Sequence, residues 1–62
     1  MIVNEAKTLQ PFVDSVVVKE TGKVLLVRLN KLRKAEKKDE KDMVLLKLDD
    51  GTWYANDEVE KV

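Results

Sequence analysis

Met43-Val44-Leu45-Leu46-Lys47-Leu48-Asp49-Asp50-Gly51-Thr52-Trp53-Tyr54-Ala55 is the stretch whose reading decides the fold. Two runs of aliphatic, aromatic and β-branched residues flank Asp49-Asp50-Gly51, the pattern of a β-hairpin. Two Asp residues in right-handed positions, followed by Gly in the left-handed one, make a type I turn with a bulge. That turn places Leu48 opposite Thr52, Lys47 opposite Trp53 and Leu46 opposite Tyr54. Side chains alternate along a strand, so Val44, Leu46, Leu48, Thr52 and Tyr54 share one face. Met43, Leu45, Lys47, Trp53 and Ala55 share the other. Lys47 belongs in water, which turns its face outward and puts Val44, Leu46 and Leu48 in the core.

Upstream, Val16-Val17-Val18-Lys19 and Lys23-Val24-Leu25-Leu26-Val27 flank Glu20-Thr21-Gly22 and predict a second hairpin. Thr21 is β-branched and unsuited to positive φ, so a three-residue loop with Gly22 left-handed is expected. This register sets Val17 opposite Leu25, Lys19 opposite Lys23, and Asp14 opposite Arg28; the last pair is favourable and the Lys pair is not. One face then carries Val13, Ser15, Val17, Leu25, Val27 and Leu29. The other carries Asp14, Val16, Val18, Val24, Leu26 and Arg28, and its charged ends assign it as the more exposed.

Between the hairpins, residues 31–42 are almost wholly charged. Only Leu29 and Leu32 recur at helical spacing, too brief a stripe to anchor a helix, so a solvated loop is expected. After Ala55, Asn56-Asp57-Glu58-Val59-Glu60 offers cap residues, with Glu60 three on from Asp57. A single helical turn and a final strand stub ending at Val62 follow. The expected class is therefore all-β, a single domain over residues 1–62. Residues 1–12 form an N-terminal arm or an extra strand, and 31–42 a charged loop between strands two and three. The order of strands, tight turns and helical turn over residues 13–62 resembles the small SH3-like barrels, Tudor and KOW modules among them. The resemblance implies a barrel of four to five antiparallel strands. It is one of architecture, because the ligand groove of SH3 domains, the Tudor aromatic cage and the KOW glycine are all missing. A four-stranded open sheet or an OB-like fragment is the alternative.

Composition narrows the function. In 62 residues there is no Cys and no His, with 12 cations balanced by 12 anions. A chain this short hides only about 60% of its unfolded surface, so its core must be thin. Without Cys there is no disulfide framework or thiolate nucleophile, and without His the usual zinc sets and the commonest general base near neutrality are lost. The start of the chain does not read as a signal peptide, and no window approaches the ~18 apolar residues of a spanning helix. A cytosolic protein without cofactor, membrane or small-molecule substrate is expected.

The acid pairs Asp39-Glu40, Asp49-Asp50 and Asp57-Glu58 are accounted for by the charged loop, a turn and a helix start. Catalytic carboxylates need a cleft that spaces them about 5–9.5 Å apart. The residues before Gly51 also lack the acidic alternation of a calcium loop. The expectation is thus no catalytic, cofactor or metal site. Two binding surfaces remain. Met43, Leu45 and Trp53 on an outward face would form an exposed apolar patch, the mark of a protein-binding or self-association surface. The structural alternative is that this face is turned inward and Trp53 belongs to the core. Lys31, Arg33, Lys34, Lys37, Lys38 and Lys41 form a basic cluster, the second choice, for nucleic acid. Residues 19–38 carry a net charge of +6 and residues 39–62 a net −5, so the neutral total hides a dipole. The bland alternative for the cluster is a wet linker. The first-choice function is a non-enzymatic module binding another protein or itself, as an accessory or phage-type regulatory protein.

Overall fold

The computed structural model describes residues 1–62. Five strands, β1 (Ser15–Val18), β2 (Val24–Arg33), β3 (Met43–Leu48), β4 (Trp53–Ala55) and β5 (Val59–Lys61), form one antiparallel sheet in the order β4-β3-β2-β1-β5. A four-residue helix, α1 (Val3–Ala6), precedes them, and a 3₁₀ turn (Asn56–Glu58) leads into β5. The protein is all-β, and the sheet remains open, with β4 and β5 at its two edges.

The β3–β4 hairpin has the expected register, with Leu46 opposite Tyr54 and Lys47 opposite Trp53. Gly51 sits at φ 78°, and its N–H donates to the Leu48 carbonyl at 2.9 Å. Val44, Leu46 and Leu48 are fully buried and form the centre of the core with Val16, Val18, Val27 and Val59.

The first hairpin corrects the expectation by one residue. Val16, not Val17, lies opposite Leu25, and Ser15 lies opposite Leu26. Gly22 is left-handed at φ 73°, as expected, but the loop has four residues: the Val18 N–H donates to the Lys23 carbonyl at 2.9 Å. A one-residue slip exchanges the faces of a strand. β1 is therefore inverted, with Val16 and Val18 buried and Val17 half-buried on the outer side, while Leu25 and Val27 of β2 lie inward as assigned. The slip also avoids pairing Lys19 with Lys23. Asp14 does not face Arg28; its carboxylate accepts the Gln10 N–H at 2.7 Å, and its carbonyl accepts the Val27 N–H at 2.9 Å.

A second correction follows in β2. The pairing with β3 runs Val27–Leu48 and then Leu29–Lys47, leaving Arg28 as the extra residue of a bulge. The bulge breaks the alternation, so Leu29 points out, 50% exposed, although Val27 points in. Val13 is also exposed, in the turn that precedes β1. The third correction concerns the charged segment. Residues 31–33 are not loop: Lys31, Leu32 and Arg33 pair with Leu45, Val44 and Met43, and only residues 34–42 connect the strands.

Residues 1–12 form an arm with one helical turn, not an extra strand. Ala6 and Leu9 enter the core, and the Leu9 carbonyl accepts from Asn30 Nδ2 at 2.6 Å. Ile2 and Phe12 are exposed. At the other end, the Glu58 carboxylate accepts the Ala55 N–H at 3.0 Å and so secures the 3₁₀ turn. Glu60, expected to cap it, instead pairs with Lys19 Nζ at 3.0 Å, which holds its carboxyl below the usual range.

Candidate protein-binding face

The surface on which the sequence-predicted residues meet is the outer side of β2, β3 and β4. Directly opposed residues of antiparallel strands share a face. The registers thus give three rows across the sheet: Leu29, Lys47 and Trp53; Lys31, Leu45 and Ala55; Arg33 and Met43. Trp53 is 45% exposed, Lys31 and Arg33 are exposed, and Met43, Leu45 and Lys47 are half-buried. Met43, Leu45 and Trp53 therefore share one surface. Leu29 joins them because of the Arg28 bulge, which alternation alone gives no way to foresee.

The basic cluster divides. Lys31 and Arg33 lie in β2 on the same face as Trp53, whereas Lys34, Lys37, Lys38 and Lys41 lie in the loop. The loop also carries Glu36, Asp39, Glu40 and Asp42, so residues 34–42 have no net charge. Asp42 closes it by accepting the Ala35 N–H at 2.9 Å. The uncompensated positive charge is thus on the sheet, where Lys31, Arg33 and Lys47 stand with no acid in any of the three rows. A groove of about 580 Å³ adjoins this face. Arg33, Met43 and Ile2 line it together with three acids, Glu40, Asp42 and Asp57.

Trp53 is aimed outward by the turn before it. Asp50 accepts the Thr52 N–H at 3.0 Å through Oδ1 and the Tyr54 hydroxyl at 2.7 Å through Oδ2. Tyr54 is half-buried against the core, and its neighbour Trp53 must take the opposite side of the strand. The Tyr54 hydroxyl, followed by the Thr52 N–H, holds the Asp50 carboxyl below the usual carboxylate range. The same hydrogen bond from the carboxylate side pushes the Tyr54 hydroxyl up. Asp50 therefore contributes stability above the ordinary carboxylate range and loses it as pH falls through its lowered value. Tyr54 contributes fully below the ordinary phenol range and loses that contribution as pH rises through its raised value. NMR titration of Tyr54→Phe is expected to show Asp50 moved back up toward the ordinary range. An unmoved Asp50 would show that Thr52, not Tyr54, sets it.

A second exposed feature lies at the arm. Phe12 adopts φ 65°, uncommon for a bulky residue, and its N–H donates to the Val27 carbonyl at 2.7 Å. The Arg28 guanidinium stands 5.6 Å from the centre of the Phe12 ring, within cation–π range. Arg28 also makes a long pairing to Asp49 at 3.9 Å.

No three metal-ligating side chains converge, and no helix is long and apolar enough to cross a membrane. Comparison of the chain with protein-family models, with curated proteins and with solved structures gave no match.

Proposed function

We propose that the chain is a non-enzymatic binding module, built on an SH3-like plan, that associates with another protein chain through the outer face of β2, β3 and β4. The row Leu29–Lys47–Trp53 carries this proposal, because it holds a half-exposed leucine and a half-exposed tryptophan on either side of Lys47. Large apolar side chains left together in water mark interaction surfaces, and Trp is the residue type most enriched among interface hot spots. The SH3-like plan is supported by the strand order and by the 3₁₀ turn before β5. The proposed setting is cytoplasmic, as an accessory or phage-type regulatory protein.

Trp53→Ala tests the proposal. It is expected to leave the circular dichroism spectrum intact and to abolish capture of a partner chain. Loss of the folded spectrum would instead make Trp53 a structural residue. A second reading, nucleic-acid binding, is favoured by Lys31 and Arg33 standing on the same face as Trp53. It requires a mobility shift with mixed DNA or RNA that weakens steeply with salt. It fails if reversal of Lys31 and Arg33 to Glu, with Lys34, Lys37 and Lys38, leaves that shift unchanged.

A further inference from the structure

We infer that the occupant of the outer face is an acidic, apolar-bearing segment of a different protein, an assignment that rests on the protein-binding function proposed above. The charge pattern selects it. The rows present Lys31, Arg33 and Lys47 among Leu29, Met43, Leu45 and Trp53, with no carboxylate. A second copy is disfavoured on this surface. Two-fold pairing sets a patch against itself, so Lys31, Arg33 and Lys47 of one copy would meet the same three of the other, with no anion on either side. Like charges brought together in this way suppress association.

Nucleic acid fits less well. Platforms for single strands offer successive aromatic rings for successive bases. Here the surface has one exposed ring, Trp53, and its centre is aliphatic, Leu45 and Met43. The loop that would grip further phosphates has no net charge, because its four cations alternate with four acids. An acidic peptide uses both components of the face. Its apolar side chains seat on Trp53, Leu45 and Met43 while its carboxylates reach the cations beside them.

Position supports the same occupant. Lys31 and Arg33 are two residues apart on one strand, about 6.7 Å, the repeat at which alternate side chains of an extended chain recur. The apolar line of β3 runs past Leu45 to Met43 at the edge of the groove, where Glu40, Asp42 and Asp57 stand among the lining residues, so the acidic segment's seat is the sheet and not the groove.

The test is fluorescence anisotropy of the full chain against an array of synthetic peptides that alternate Glu or Asp with Leu, Phe or Trp. Matched peptides carrying Lys in place of the acids, and oligothymidylate, serve as comparators, and sedimentation of the chain alone accompanies them. Acidic peptides are expected to bind, more weakly at high salt. Lys31→Glu with Arg33→Glu is expected to weaken that binding about tenfold. Trp53→Ala should abolish it, and Lys37→Glu with Lys38→Glu in the loop should leave it unchanged. Trp53-dependent binding of the Lys peptides, or a Trp53-dependent dimer of the chain alone, overturns the acidic-partner assignment and leaves the protein-binding function standing. Preference for oligothymidylate, or binding that Trp53→Ala does not touch, overturns both. If no peptide binds, the assignment is also overturned.

Discussion

Leu46→Ala is expected to remove roughly half of the protein's stability, lowering the urea midpoint, followed by circular dichroism, in proportion. Leu46 is wholly inaccessible and stands between Asn30 on β2 and Tyr54 on β4, at the middle of the sheet. Truncating a buried leucine costs about 2–5 kcal/mol in transfer and cavity energy. At about 0.05–0.15 kcal/mol per residue, a domain of this length has only about 3–9 kcal/mol in total. One side chain thus carries a large share of what keeps the chain folded. Leu29→Ala supplies the contrast, because it removes the same atoms from a half-exposed position beyond the bulge. Its expected cost is below about 0.5 kcal/mol. Equal losses for the two variants would contradict the face assignment of β2 after Arg28.

The second large effect is expected at Asn56, the one buried polar residue. β4 stops pairing at Ala55, opposite Leu45, so the Val44 N–H lies beyond the end of the backbone ladder. Asn56 takes over from the missing strand. Its Oδ1 accepts the Val44 N–H at 3.0 Å, and its Nδ2 donates to the Met1 carbonyl at 2.7 Å, which ties the N-terminal arm to β3. A buried donor left without an acceptor costs about 1–3 kcal/mol. Asn56→Ala is therefore expected to lose about 2–3 kcal/mol in urea unfolding. Asn56→Leu separates the causes: it restores volume without an acceptor, so it should be as destabilising as Ala. A Leu variant as stable as the parent would show that filling the space, not the hydrogen bond, is what Asn56 supplies.

These residues also show which parts of the structure are legible from sequence. The β3–β4 hairpin is readable because Asp49-Asp50-Gly51 defines the turn and Lys47 marks the outer face. In β1, three consecutive valines carry no polar marker. Its orientation rests on loop length and on the distant charges of Asp14 and Arg28, and Lys19-Glu20-Thr21-Gly22 supports both a three- and a four-residue loop. The Arg28 bulge has no signal in the alternation, which by itself turns Leu29 inward. Lys31 to Arg33 looked like loop because of their charge. They are strand because Leu32 between them pairs with the buried Val44, and the two cations can stay in water on the opposite side. Met43, Leu45 and Trp53 follow directly from the second hairpin. The union of that patch with Lys31 and Arg33 required the extra length of β2, a property of pairing between segments distant in the chain. Asn56 was visible as a cap residue, but its work is done across the fold, on Val44 and Met1.

The pairing of β5 with β1 has a consequence for solubility. Ser15-Val16-Val17-Val18 is short, β-branched and free of charge, the composition that adds readily to strands of other molecules when its backbone edge is open. β2 covers one edge, and the other is covered only when Val59, Glu60 and Lys61, more than forty residues later, come to lie against Val18, Val17 and Val16. Until that late segment docks, this uncharged stretch has a free side. Once it docks, the sheet presents Glu60 and Lys61 at that margin, two opposite charges that further strands are poorly suited to join. β5 thus serves twice: Val59 adds to the core, and the strand's backbone covers the edge that the valines would otherwise leave open.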